Sequence, residues 1–269
     1  MPTRVVNGAE LYHEVRGDGP PLLLVMGATG DAGHFATVAD LLADEFTVVS
    51  YDRRGNGRSP RPAGWTRTSA AEQADDAAAL LEALGLSPAA VFGTSSGAVF
   101  ALWLTIGHPE SVTATILHEP ALLALANDAT GLAEAMRSAV SAGMEAGGPP
   151  AAVESFWRFV ATDESWERLD PTLRERMCAS GELYFGIERG RFDAAIPSDE
   201  ALAAIAVPIH VLASDGTRAF FVQVSERLAE RLGVAVARTP GTHTPYHDRP
   251  RELADAIRSL LREAGARPA

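Results

Sequence analysis

Apolar and polar positions along this chain fall into blocks. Leu22-Leu23-Leu24-Val25 and Phe46-Thr47-Val48-Val49-Ser50 are short, almost wholly apolar runs, and Ala89–Phe92 and Val112–Leu117 have the same character. Such runs suit strands buried on both faces of a parallel sheet. Helices with readable ends lie between them. Ser69-Ala70-Ala71-Glu72 forms a capping box that opens a helix closed by Gly85, and Pro109 ends a helix that begins just after Ser95. From about Ala121 to Ser198 the alternation stops. That stretch is helical in character, is broken at Gly147-Gly148-Pro149-Pro150, and concentrates Phe156, Trp157, Phe159, Trp166, Tyr184 and Phe185. The rhythm then resumes with a strand at Pro208–Leu212, a helix from Arg218 to about Leu232, a strand at Val234–Ala237, and a closing helix from Asp248 to about Ala264 with Pro250 in its first turn. The pattern predicts an α/β fold with a doubly wound, mostly parallel sheet: a core of residues 1–120 and 199–269, and an inserted helical cap at 121–198.

Composition narrows the function classes. The chain has 269 residues, 46% of them hydrophobic, which is enough for a large core. Its formal net charge of −12 argues against nucleic acid and anionic membrane as partners. All 23 of the Lys+Arg residues are arginine, so Schiff-base chemistry and a Walker-type lysine are excluded. Cys178 is the single cysteine, which rules out an intrachain disulfide and a thiolate metal cluster. The start, Met1-Pro2-Thr3-Arg4, has no apolar signal region behind it, and Pro21–Met26 is far too short to span a bilayer. A cytoplasmic protein is the expectation; a homodimer is compatible with all of this.

The chemistry concentrates in Val91-Phe92-Gly93-Thr94-Ser95-Ser96-Gly97, an apolar strand end running into Gly-x-Ser-x-Gly and then into the helix-like run Ala98–Leu104. A serine on a sharp strand-to-helix turn presents its hydroxyl clear of the backbone, and the helix N-terminus favours nearby negative charge. A nucleophilic serine needs that setting. The five-residue pattern also occurs by chance, so its meaning depends on the surrounding chain.

Four motifs in order make the chain resemble the α/β-hydrolase superfamily over nearly its whole length. Val25-Met26-Gly27-Ala28 stands where the family has an oxyanion-loop His-Gly, with Met26 in place of the histidine. Tyr51-Asp52-Arg53-Arg54-Gly55-Asn56-Gly57-Arg58-Ser59 is similar to its Asp-x-Arg-Gly-x-Gly-x-Ser turn. Gly93–Gly97 matches the nucleophile elbow, and Pro240-Gly241-Thr242-His243 the C-terminal histidine loop. The resemblance implies Ser95 as nucleophile and backbone N–H groups of Ala28 and Ser96 as oxyanion donors. Asp52, Arg53 and Arg58 read first as a hydrogen-bonded structural corner.

Of the seven histidines, His243 follows the last strand and precedes the last helix, which suits a general base. His247 reads as a loop or helix-cap residue and His210 as a core residue. His34, Trp157 and Tyr184 are candidate substrate contacts. Two acids compete to orient His243. Most of the superfamily carries the acid after the seventh strand, where this chain has Ala213-Ser214-Asp215-Gly216-Thr217, with Asp215 one position early. Some branches, similar to zearalenone lactonases and haloalkane dehalogenases, place it after the sixth strand, where this chain has Glu119 in Leu117-His118-Glu119-Pro120. Triad geometry favours Glu119.

The implied activity is hydrolysis of a carboxylic ester or lactone of a hydrophobic small molecule through an acyl-enzyme, with no metal and no cofactor. The rival readings are non-hydrolytic chemistry on the same fold (lyase, cyclase or perhydrolase) and a ligand-binding module with slow turnover.

Overall fold

The computed structural model describes residues 2–190 and 195–265; residues 191–194 of the expected cap span lie outside the described residues. Eight strands, β1 (Thr3–Val6), β2 (Ala9–Arg16), β3 (Pro21–Val25), β4 (Thr47–Tyr51), β5 (Ala89–Thr94), β6 (Val112–His118), β7 (Ile209–Ser214) and β8 (Val236–Thr239), form one sheet in the order β1-β2-β4-β3-β5-β6-β7-β8. β1 pairs with β2, and β2 with β4, in antiparallel fashion; all other pairs are parallel.

Helices α1 (Ala36–Leu42), α2 (Ala70–Leu84) and α3 (Ser96–Gly107) alternate with the strands. The expected boundaries of α2 are met closely: the Ser69 hydroxyl accepts the Glu72 N–H, and Gly85 closes the helix in the left-handed region at φ 68°. Between β6 and β7 the described residues contain helices only: a 3-10 turn at Leu123–Leu125, α4 (Ala129–Val160), α5 (Asp163–Glu167), α6 (Pro171–Ala179), α7 (Gly181–Leu183), a π-helical turn at Tyr184–Glu188, and α8 (Asp199–Ala203). The chain then continues through α9 (Ala219–Leu232), α10 (Pro245–Asp248) and α11 (Pro250–Glu263).

The sheet's two faces explain the unbroken apolar strands. In β3, Leu23 and Val25 pack with residues of α2, α3 and α9, whereas Leu22 and Leu24 pack with α1 and α11. The central strands β3, β4 and β5 therefore bury both of their faces. The sequence pattern marks no element at the N-terminus, where β1 and β2 form a hairpin. Its turn is Asn7-Gly8, both at positive φ (48° and 72°) as a two-residue hairpin loop requires.

The Gly147-Gly148 break is a fold-back inside α4. Gly148 stands at φ 70°, and a side chain at Gly143 would meet the Ala152 backbone at 2.6 Å, so the two halves of α4 pack closely. Among the described residues no helix is long and apolar enough to cross a membrane.

Candidate active site

The candidate residues gather at the C-terminal ends of the parallel strands, where α/β sheets place their ligands. Ser95 sits between β5 and α3 with φ 57° and ψ −124°, a conformation that L-residues rarely adopt and that costs on the order of 1–3 kcal/mol. Its flanking glycines are forced. A Cβ at Gly93 would approach the Gly97 carbonyl oxygen to 2.3 Å, and one at Gly97 would approach the Val25 carbonyl oxygen to 2.1 Å. Neighbouring backbone pins the turn: Ser95 N–H donates to the His118 carbonyl (2.9 Å), and the Ser95 carbonyl accepts the Ala121 N–H (3.1 Å).

The loop after β3 passes directly against this elbow. A Cβ on Gly27 would lie 3.0 Å from Ser95 Cβ and 3.4 Å from Ser96 N. Ala28 is the next residue of that loop, and α3 starts at Ser96. First-turn N–H groups have no partner within their own helix, which leaves Ser96 N–H available to an anion. Thr29, at φ 60°, donates its hydroxyl to the Ala28 carbonyl at 2.7 Å, and Arg53 Nη2 donates to the Gly27 carbonyl at 3.3 Å.

Glu119 directly follows β6 at φ 45° and is fully buried. Its Oε1 accepts the Ser214 N–H (2.7 Å); its Oε2 accepts the Thr217 hydroxyl (2.8 Å) and lies 2.5 Å from His243 Nδ1. A carboxylate only accepts, so the His243 proton sits on Nδ1 and leaves Nε2 bare. Burial alone would raise the Glu119 carboxyl, but His118 and His243 beside it outweigh that and hold it well below the usual carboxylate range. For His243, burial dominates and lowers it beneath the ordinary 6.5, while the bond to Glu119 pulls the other way. The imidazole is therefore neutral at pH 7. Phe221, on α9, lies flat on it with ring centroids 3.8 Å apart and planes 8° from parallel.

Asp215 takes no part in this arrangement. Its carboxylate is exposed and pairs with Arg238 at 3.0 Å, while its N–H donates to the Thr239 carbonyl. The loop that carries it contributes Thr217 and the Ser214 N–H to Glu119 instead.

The candidate substrate contacts divide. Tyr184 belongs to an apolar cluster with Met136, Phe156 and Phe221, against which Ala28 packs, and so stands beside the Ser95 region. Trp157 packs chiefly with Trp166, Leu169 and Met177 in a second cluster. His34 is buried, with its Nδ1 2.9 Å from His247 Nε2 and its ring edge-on to Tyr246. Burial lowers His34 to about 4 and His247 to about 3. His247 is thus a buried partner of His34, a role its sequence position did not suggest.

Asp52 and its neighbours form the expected corner. Asp52 accepts the Ala32 and Arg58 N–H groups and a bidentate Arg58 guanidinium. Arg53 goes further: it forms a fully buried ion pair with Glu188 of the π-helical turn at 2.6 Å, and Asn56 donates to the same carboxylate at 2.9 Å. That pair joins the helical segment to the carbonyl of Gly27. Sequence patterns did not single out His118, Thr217, Phe221 or Glu188. Only Thr217 carried a local signal, as a hydroxyl in the loop where the family commonly has its acid. Among the described residues no group of three or more His, Cys, Asp or Glu is arranged to hold a metal ion.

Comparison with known proteins agrees with this architecture. A family model described as alpha/beta hydrolase fold matches residues 20–233. An uncharacterized hydrolase of Bacillus subtilis, YraK, is 32% identical over 265 residues, covering 96% of this chain and 95% of that protein. A zearalenone hydrolase of Cladophialophora bantiana is 27% identical, covering 96% and 94%. Among solved structures, the enol-lactonase from Burkholderia xenovorans LB400 superposes with a TM-score of 0.79 at 19% identity, over 97% of this chain and 100% of that one; at that identity the likeness speaks to fold alone.

Proposed function

The chain belongs to the alpha/beta hydrolase fold family, and on that premise we propose that it is a serine hydrolase acting on a carboxylic ester or lactone of a hydrophobic small molecule. The observation that carries this reading is the buried Glu119–His243 hydrogen bond of 2.5 Å, with the strained Ser95 elbow tied by backbone hydrogen bonds to His118 and Ala121 on either side of Glu119. In this reading Ser95 Oγ attacks the carbonyl carbon as His243 Nε2 takes its proton. The new C–O bond converts the carbonyl oxygen to an oxyanion, which the N–H groups of Ala28 and Ser96 receive. Collapse expels the alcohol, protonated by His243, and leaves an acyl-enzyme. Water, deprotonated by His243, then attacks the acyl carbon, and the acid leaves as Ser95 regains its proton.

Glu119 holds the reactive tautomer and stabilises the imidazolium that forms in each half. Phe221 fixes the ring plane. The helices between β6 and β7 act as a cap over the site, with Tyr184 as a roof residue, and exclude water from the reacting atoms.

Supporting the ester or lactone assignment is the acid's position after β6. The resemblance links that placement to lactone hydrolases, and a curated relative is a zearalenone hydrolase. The test is release of nitrophenol from short- and medium-chain nitrophenyl esters by the wild type and by Ser95→Ala. Turnover that vanishes in the variant supports the reading. Saturable binding with no turnover in the wild type would replace the enzyme by a binding protein.

A further inference from the structure

A groove of about 470 Å³ opens on the helical segment, lined by Leu123, Ala129, Ala133 and Met136 and flanked by Arg137 and Arg189. Residues 129, 133, 136 and 137 lie at helical spacing on one face of α4, so the same face supplies both the apolar floor and one guanidinium. Arg189 follows the π-helical turn and stands over the Phe185 ring at 5.7 Å. Most described arginines of this acidic chain lie within ion-pair distance of a carboxylate, as Arg54, Arg58, Arg158, Arg176, Arg231 and Arg258 do. Arg137 and Arg189 are two of the described arginines without such a partner, and they stand together on this groove in a chain of net charge −12. Two uncompensated cations on an apolar groove form a complementary surface for one chemical type: an apolar body that ends in a carboxylate.

The groove also adjoins the catalytic region. Leu123 lies four residues beyond Glu119, and Leu123 and Met136 both pack in the cluster that contains Tyr184 and Phe221. Phe221 in turn stacks on His243. Leu123 and Met136, which line the groove, thus share one apolar cluster with the ring that stacks on the imidazole.

We propose that this groove receives the far end of the substrate, and that this end carries a carboxylate held between Arg137 and Arg189. The proposal rests on the serine-hydrolase reading for its chemistry and deepens it: the substrate is an ester or lactone with an apolar body and a distal carboxylate. The arginines act in positioning and specificity, outside the reacting atoms.

The test compares nitrophenyl esters of six- to ten-carbon monocarboxylic acids with nitrophenyl half-esters of dicarboxylic acids of equal length. At the best-fitting length the wild type is expected to prefer the half-ester. Arg137→Gln/Arg189→Gln is expected to raise KM for that half-ester roughly tenfold, with kcat and all monocarboxylic esters unchanged, and about 0.5 M NaCl is expected to reproduce most of the loss. Preference for the uncharged ester at every length overturns the proposal, and so does an equal effect of the variant on both series.

Calorimetric titration of octanoate against octanamide separates this proposal from the hydrolase reading. Arginine-dependent binding of octanoate without any ester turnover upholds the groove and sinks the hydrolase. Turnover of the monocarboxylic esters with octanoate binding indifferent to both arginines does the reverse.

Discussion

Replacing Glu119 by Gln removes one charge and keeps the shape, and the three hydrogen bonds at that carboxylate decide how much activity is lost. Oε1 accepts the Ser214 N–H, and Oε2 faces the Thr217 hydroxyl and His243 Nδ1. An amide offers only one accepting oxygen. If that oxygen stays with Ser214, the NH2 faces His243, whose Nδ1 must accept; the ring proton then moves to Nε2 and blocks the base. If the amide flips, the NH2 meets the Ser214 N–H and leaves a buried donor unpaired, at about 1–3 kcal/mol. In both cases the charge that stabilises the imidazolium is lost. Together these effects predict a fall in kcat of about 10³–10⁴, equivalent to ~4–5.5 kcal/mol. Asp215→Asn disturbs only an exposed pair with Arg238 and should stay within about twofold, because such pairs contribute little. The assay is nitrophenyl butyrate hydrolysis by both variants, with thermal melts to verify folding. A folded Glu119→Gln enzyme with near-normal kcat, beside an Asp215→Asn enzyme that has lost a hundredfold or more, would refute the reasoning.

The same geometry fixes three other outcomes. Gly97→Ala should lower Tm by about 10 °C, from roughly 3 kcal/mol of overpacking, because its Cβ would lie 2.1 Å from a backbone oxygen that cannot yield; a shift under about 2 °C in a thermal melt contradicts this. Because burial lowers His243 from its ordinary 6.5, the acid limb of kcat/KM should be centred below 6.5; an acid limb centred above 6.5 would contradict the buried, neutral imidazole. His34 and His247 stay neutral in the fold down to about 4 and 3, whereas the unfolded chain protonates them below 6.5, so stability should fall as pH drops from 6.5 towards 4. At pH 5 the loss is about 2 kcal/mol for each histidine, and urea unfolding at pH 7 and pH 5 should show a smaller difference for His34→Gln than for the wild type.

The sheet was legible in the sequence because parallel strands buried on both faces are predominantly apolar, as in Leu22–Val25, which is buried throughout. The elbow was legible because Gly93 and Gly97 sit where no side chain fits, a constraint that the motif encodes directly. Other features depend on residues distant in sequence. Arg53 and Glu188 lie 135 residues apart, and nothing near either one announces a buried pair. His118 is buried beside the acid, its ring nitrogens meeting the Thr94 and Ser214 hydroxyls, contacts that only the pairing of β6 with its neighbours creates. Asp215 looked eligible because it sits in the expected loop. Bonds from its own N–H to Thr239 and from Gly216 N–H to Gly241 go with a side chain turned outward to Arg238. The β1–β2 hairpin is a different case: Asn7-Gly8 was a readable signal, but the flanking strands mix exposed and buried positions and lack the apolar runs that marked the others.

Acylation of Ser95 is the step on which all the proposed chemistry depends. Treating the protein with diisopropyl fluorophosphate should form one Oγ–P bond with loss of fluoride, and fragmentation of the labelled peptide should assign the adduct to Ser95 and not to Ser96. Activity should disappear in step with labelling, and Ser95→Ala should take up no label. Full esterase activity in Ser95→Ala, or inactivation accompanied by an adduct elsewhere in the chain, would contradict the proposed chemistry at its root.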